Sequence, residues 1–105
     1  MSVLGRGTTP TNTFKTSIDL SEATRIYITY AQDGRPLFEK TLDDVLEITS
    51  TSVKVKLSQR DTLRLKDKFP VEVQIRAGFG GDNGDTVRSN IITTSVGRLL
   101  KDGVI

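Results

Sequence analysis

The stretch Val53-Lys54-Val55-Lys56-Leu57 decides the fold, because aliphatic and lysine side chains alternate in it without a break. A period of two places the aliphatic residues on one face of a β-strand and the lysines on the other. Residues 71–77, VEVQIRA, repeat the pattern. Both stretches therefore predict strands with one buried and one solvated face, as antiparallel sheets have.

Alternation on both sides of this stretch predicts more strands. They cover residues 11–20, with Phe14, Ile18 and Leu20 on one face, then residues 26–30, 36–41, a short strand around Leu46 and Ile48, and residues 86–94. Asp33-Gly34 lies between two of them and predicts a hairpin turn, because glycine accepts a positive φ without steric cost. The three prolines, Pro10, Pro36 and Pro70, fall at or just before predicted strand starts, where a missing N–H costs least.

The composition favours strands over helices. The chain holds 9 Val, 8 Ile and 14 Thr against 3 Ala, and β-branched side chains suit a pleated surface. Only residues 58–61 predict a helical turn, with Ser58 as its N-cap. About seven short strands with turn signals every ~8–12 residues predict an all-β, immunoglobulin-like antiparallel sandwich, and a small β-barrel fits the same pattern.

A chain of 105 residues predicts one domain. We expect residues 1–10 to form a flexible or partner-ordered N-terminal arm and residues 11–105 a single β-sandwich domain. Apolar runs are too short for a transmembrane helix or a signal-peptide core. The expectation is a soluble protein made in the cytoplasm, with no membrane partner.

Residue chemistry argues against catalysis. The chain has no His and no Cys, so the commonest general base, the commonest metal ligand and the thiolate nucleophile are missing. Asp43 and Asp44 are adjacent, but neighbours in an extended chain point to opposite faces and do not converge. We therefore predict no enzyme, no catalytic, cofactor-binding or metal-binding residue, and no cofactor.

The glycine-rich loop at residues 78–85 is the place where a ligand would be sought first. It fails the dinucleotide-binding pattern because its sixth position is Asn83 and a strand, not a helix, follows. Asp82, Asn83 and Asp85 could offer oxygens to calcium, which wants six to eight. A plain connecting loop is the favoured interpretation, and the calcium question stays open at this point.

Two alternative binding functions rest on surface residues. Residues 54–68 carry six basic side chains against two acidic ones, which would suit a phosphate backbone, although no aromatic platform for base stacking lies among them. A solvated strand face explains the same residues and makes nucleic acid an unlikely partner. Tyr27, on the face opposite Ile26 and Ile28, is the single candidate for stacking a sugar in a glycan-binding module.

Five segments of the chain, read together, carry a resemblance: residues 6–14 (RGTTPTNTF), 28–34 (ITYAQDG), 61–63 (DTL), 73–76 (VQIR) and 100–105 (LKDGVI). They resemble a family of small proteins encoded in phages and prophages of Firmicutes among tail or other virion structural genes. A looser likeness extends to the N-terminal domains of phage baseplate proteins. The resemblance implies an immunoglobulin-like fold and a role in particle assembly, decoration or tail architecture. It also implies a place in the virion and other virion proteins as partners.

The chain ends point to self-association or docking. Leu99, Leu100, Val104 and Ile105 concentrate apolar surface in the last seven residues, where a solvated tail is normally polar. We expect them to pack mainly on the domain and to contribute less to an interface, which leaves a homo-oligomer open. Residues 5–13 are expected to donate a strand to a partner or to receive one.

Overall fold

Ten short β-strands, one α-helix and one 3-10 turn form the secondary structure of the computed structural model, which describes residues 4–81, 84–89 and 91–105. The strands are β1 (Leu4–Gly5), β2 (Thr11–Lys15), β3 (Arg25–Gln32), β4 (Arg35–Thr41), β5 (Val45–Ile48), β6 (Ser52–Lys56), β7 (Val71–Gly78), β8 (Thr86–Arg88), β9 (Ile92–Thr94) and β10 (Val96–Gly97). The 3-10 turn is Leu42–Asp44, and helix α1 is Gln59–Leu63.

The strands form two main antiparallel sheets. One is three-stranded in the order β2-β6-β5, and the other runs β4-β3-β7, with β8 and β9 both paired to the far side of β7. The short β1 pairs in parallel with β10. Two antiparallel sheets, one of three strands and one built around the central pair β3 and β7, are the arrangement of an immunoglobulin-like sandwich. The predicted fold is confirmed, and the two sheets remain separate rather than closing into a barrel.

The core lies between the two sheets, as the period-two pattern predicts. Val53, Val55 and Leu57 are buried from one side, and Ile28 and Val73 are buried from the other. All belong to one cluster of buried apolar residues. The alternation therefore assigns the inward face of each long strand correctly.

The β3–β4 hairpin turns at the predicted Asp33-Gly34 pair. Asp33 has φ 52° and Gly34 has φ 74°, and positive φ at both central residues is the signature of the turn that matches strand twist. Next to it, buried Gln32 donates to the carbonyls of Lys66 (2.7 Å) and Phe69 (2.9 Å) and accepts from the Lys66 N–H at 2.8 Å. This clamp fixes the chain between α1 and β7 to the end of β3.

Helix α1 begins at the predicted cap. The Asp61 N–H donates to Ser58 Oγ at 3.1 Å, and the Ser58 N–H donates to Asp61 Oδ2 at 2.9 Å, which makes a reciprocal capping box. Asp61 also pairs with Lys40 of β4 at 2.6 Å. Burial acts to raise the pKa of Asp61, but hydrogen bonds from Lys40 and Ser58 outweigh it and lower the pKa. The helix is thus tied to the edge of the larger sheet.

The N-terminal segment differs from the expected arm. Residues 1–3 lie outside the described residues, but Leu4 is buried, with 2% of its surface exposed, and pairs with β10. The Arg6 guanidinium donates to the carbonyl of Leu63 (3.1 Å), the last residue of α1, and to that of Leu65 (2.7 Å) just after it. Residues 4–10 therefore belong to the domain, because a buried leucine and a cation near the helix C-terminus hold them there.

Two other predicted strands are shorter in the structure. The first ends at Lys15, and Ile18 is 42% exposed instead of sharing the buried face of Phe14 and Leu20. There the Thr16 hydroxyl donates to the Ile18 carbonyl at 2.9 Å, in a local turn that leaves the ladder. The predicted strand 86–94 is divided into β8 and β9, which pair with different parts of β7.

Candidate binding site at the open edge of β2

The outer edge of β2 presents unused backbone hydrogen-bonding groups. The Thr16 N–H donates to the Thr51 carbonyl and the Leu57 N–H to the Pro10 carbonyl. These two pairs flank the β2–β6 ladder, and both are hydrogen-bonded pairs. Because hydrogen-bonded pairs alternate along an antiparallel ladder, Thr11, Thr13 and Lys15 direct their N–H and C=O groups away from β6. Within the described part of the chain, β2 pairs only with β6. The edge can therefore accept one more strand.

A groove with mainly apolar walls begins at the Lys15 end of this edge and lies between the two sheets. Its volume is about 370 Å³, at the small end of the range for pockets that bind ligands. The apolar side chains that line it are Ile18, Leu20, Ile75, Ala77, Val87 and Ile92. A strand added to β2 that continues past Lys15 would direct every second side chain toward this groove.

The other sheet edges carry features that discourage strand addition. Edge strand β4 contains Pro36, which has no N–H, and its pairing with β3 shifts register after Tyr30. Edge strand β5 contains a register shift between Val45 and Glu47. The edge formed by β8 and β9 is broken into two three-residue pieces. Proline, bulges and short strands are the usual protections of a sheet edge, so among the described strands β2 is the one whose free edge is continuous and regular.

Basic residues surround the β2 edge. Lys15 and Arg88 line the two sides of the groove, both exposed, and neither pairs with an acidic side chain among the described residues. On the outer face of the three-stranded sheet, Lys54 and Lys56 lie opposite Thr13 and Thr11. On β5, at the other side of β6, Glu47 is the acidic residue that lies opposite Lys54. The surface that borders the groove therefore favours negative charge.

The predicted basic stretch 54–68 does not form one continuous surface. Lys54 belongs to the outer face of the three-stranded sheet, whereas Arg64 lies over the Phe38 ring of the other sheet, 5.8 Å from its centroid. The Lys66 backbone is held by Gln32. Only the lysines of β6 contribute to the site at the β2 edge.

Tyr27 takes the predicted outward position and is 41% exposed. It lies on β3 opposite Thr41 and Arg76, and Arg76 lies opposite Arg88. The sugar-stacking alternative stays a prediction, which this placement leaves open. Asp43 and Asp44 lie in the 3-10 turn and not in an extended segment, and the Asp44 carboxylate accepts from the Thr41 N–H at 2.8 Å to cap that turn.

The glycine-rich loop connects β7 to β8. Phe79 N–H donates to the Asp85 carbonyl and Gly84 N–H to the Gly81 carbonyl, which closes the described part of the loop. Asp82 and Asn83, two of the three suggested calcium ligands, lie outside the described residues. Among the residues that are described, no group of three acidic side chains is placed to hold a metal ion. That the fold needs no metal stays a prediction, to be tested by melting with and without EDTA.

The C-terminal tail packs less than expected. Leu99 is half-buried near Gly7, but Leu100 and Ile105 are 88% and 90% exposed. The tail is held instead by its backbone, since Gln59 exchanges two hydrogen bonds with Ile105. The expectation that these apolar side chains mainly complete the domain is wrong, because the sandwich core is already filled by the strands.

Sequence reasoning located β2 but missed the groove. Ile18 and Val87 were expected on strand faces, and no pattern links residues 15–20 to residues 87–92. Bringing the two segments together is a property of the fold.

Known proteins offer few matches. No family model and no curated protein matches the chain. Among solved structures, one that is similar is the immunoglobulin-like domain of mouse leukocyte-associated immunoglobulin-like receptor 1, crystallised as a strand-swapped dimer. It shares 14% identity over 91% of this chain and 86% of that chain, with a TM-score of 0.49. The V domain of amphioxus IgVJ-C2 shares 13% identity over 91% of this chain and 99% of that chain, with a TM-score of 0.43. Separately, no helix in the described residues has the length and apolar character needed to span a membrane.

Proposed function

We propose that this chain is a non-catalytic protein–protein interaction module that assembles into a phage or prophage particle as a tail, baseplate or decoration component. The observation that carries the interaction role is the regular free edge of β2 beside an apolar groove. Strand addition to such an edge provides affinity through main-chain hydrogen bonds and specificity through alternate side chains. The particle setting is supported by the resemblance of residues 6–14, 28–34 and 100–105 to virion structural proteins.

The proposal assigns the contact to one surface of the domain. Thr11, Thr13 and Lys15 supply the ladder groups, and Ile18 and Val87 supply part of the apolar floor. A strand seated there covers surface that is otherwise solvated at the junction of the two sheets. A partner bound in this way completes the sandwich on its open side.

Incorporation into particles tests the proposal. The host strain is induced, particles are purified by sedimentation, and the protein is quantified in the particle fraction for the wild type, Ile18→Glu and Leu46→Glu. Ile18 and Leu46 are both exposed aliphatic residues, at 42% and 60%, but only Ile18 lines the groove. We expect wild type and Leu46→Glu in the particles and Ile18→Glu depleted.

Two results contradict the proposal in different ways. Absence of the wild-type protein from particles refutes the virion setting. Equal incorporation of Ile18→Glu and Leu46→Glu refutes the groove as the contact surface. Far-UV circular dichroism of both variants confirms that each is folded before the comparison is made.

A further inference from the structure

The charge pattern around the β2 edge restricts what can bind there. This inference rests on the proposed function and specifies the partner. A strand added to β2 places its side chains alternately into the groove and onto the outer face of the three-stranded sheet. The groove has mainly apolar walls with Lys15 at its rim, and the outer face of the sheet carries Lys54 and Lys56.

Each of the two faces selects one kind of side chain. Inward positions of the added strand meet Leu20, Ile75 and Ala77, so aliphatic side chains are favoured there by burial. Outward positions lie beside Thr11, Thr13 and Lys15, with Lys54 and Lys56 one strand further. Acidic side chains at these positions are attracted by Lys15 on the neighbouring strand and, over a longer distance, by Lys54 and Lys56, whereas basic ones are repelled.

A second copy of this chain fits the site poorly. Pairing β2 with the β2 of another copy joins two lysine-bearing outer faces, which is unfavourable. Edge strand β5 is acidic at Glu47, but its register shift interrupts the regular ladder that β2 requires.

We propose that the β2 edge binds an extended segment of another protein in which aliphatic and acidic residues alternate. The aliphatic side chains enter the groove between β2 and the β8–β9 edge. The acidic side chains lie along Lys15 and Lys54 on the outside, and Arg88 receives a carboxylate at the far rim of the groove.

Binding of two matched peptides tests this inference. The probes are two fluorescein-labelled heptapeptides, one alternating Glu and Val and the other alternating Lys and Val. Their binding to the purified full chain is measured by fluorescence anisotropy. We expect the Glu/Val peptide to bind the wild type and the Lys/Val peptide to bind at least about tenfold more weakly, because the exposed charge interactions with the basic surface change from attractive to repulsive. Raising the salt concentration should weaken binding of the Glu/Val peptide, since these charges are exposed.

Charge reversal identifies the surface. The double variant Lys15→Glu/Lys54→Glu should lose about tenfold in affinity for the Glu/Val peptide and gain affinity for the Lys/Val peptide. Lys68→Glu is the matched control, because Lys68 is an exposed lysine in the loop before β7, away from the β2 edge. It should leave both affinities nearly unchanged.

Specific outcomes overturn the inference. These are failure of the Glu/Val peptide to bind the wild type, equal binding of the two peptides, and an equal effect of Lys68→Glu and the double variant. If any of these peptide results is found while Ile18→Glu is still depleted from particles, the groove remains the contact surface and only the partner chemistry is wrong. If the peptides behave as expected but the wild type is absent from particles, the strand-binding site stands and the virion setting fails.

Discussion

The side-chain amide of Asn12 on β2 donates a 3.0 Å hydrogen bond to the phenolic oxygen of Tyr30 on β3, so that a buried polar contact joins the two sheets. Tyr30 also stacks on Phe38, with ring centroids 4.6 Å apart. Burial raises the pKa of Tyr30 well above its usual value, which keeps the hydroxyl protonated. Since Asn12 lies on the strand with the open edge, this contact helps to fix the position of the proposed binding site.

Replacing Tyr30 by Phe should destabilise the fold by about 1–3 kcal/mol, because the buried Asn12 amide loses its acceptor. The double variant Asn12→Leu/Tyr30→Phe should recover part of that loss, since no polar group is then left unpaired. Urea denaturation of the wild type, both single variants and the double variant measures this. If the double variant loses as much free energy of unfolding as the two single variants lose together, the contact between Asn12 and Tyr30 does not contribute to stability.

Asp61 should make stability depend on pH in the acid range. Its pKa is lowered in the folded state, so the folded chain binds fewer protons than the unfolded chain near that pKa. The stabilisation is therefore complete above the unfolded value of about 3.9 and is lost as the pH falls through the folded pKa. We expect Asp61→Asn to cost about 1–2 kcal/mol at neutral pH and less at pH values below the folded pKa.

Urea denaturation across this pH range provides the measurement for Asp61→Asn. Asp67→Asn is the control, because Asp67 is exposed and makes no hydrogen bond or ion pair with a described residue. If the free energy of unfolding of Asp61→Asn differs from that of the wild type by the same amount at every pH down to acid unfolding, the Lys40–Asp61 pair is not the source of the difference.

Leu4→Ala should destabilise the domain by about 2–5 kcal/mol, the usual cost of truncating a buried leucine. Deletion of residues 1–7 should cost at least as much, because it also removes the Arg6 hydrogen bonds to Leu63 and Leu65. Thermal denaturation compares both with the wild type, and Thr9→Ala, at an exposed position of the same segment, serves as control. If the deletion variant has the same melting temperature as the wild type, this segment is a separate arm after all.

Gln32→Leu should destabilise the domain by about 1–3 kcal/mol, because the part-buried hydrogen bonds of the Gln32 amide to the Lys66 N–H and to the Lys66 and Phe69 carbonyls are lost. Hydrogen exchange should show faster exchange at the Lys66 amide in the variant than in the wild type. Unchanged exchange at that amide would mean that the loop is held by other contacts.

The sequence alone determined the central strands and their inward faces. In residues 53–57 and 71–77 the alternation is strict. Since side chains point to the two faces in turn, burial of one face requires every second side chain of the strand to be apolar. The Asp33-Gly34 turn and the Ser58 cap were also predictable, because each depends on local backbone geometry that a few side chains specify. These features need no knowledge of what lies across the core.

Only the tertiary structure decided the surroundings of β2. Leu4 and Arg6 carry no local signal for docking, and their partners lie 57 or more residues away in the chain. The groove likewise forms from residues 15–20 and 75–92, which no periodicity connects. Local patterns fix which side of a strand is buried, whereas an edge and a groove depend on which strands end up side by side and which neighbour is missing. That is set by the packing of the whole chain.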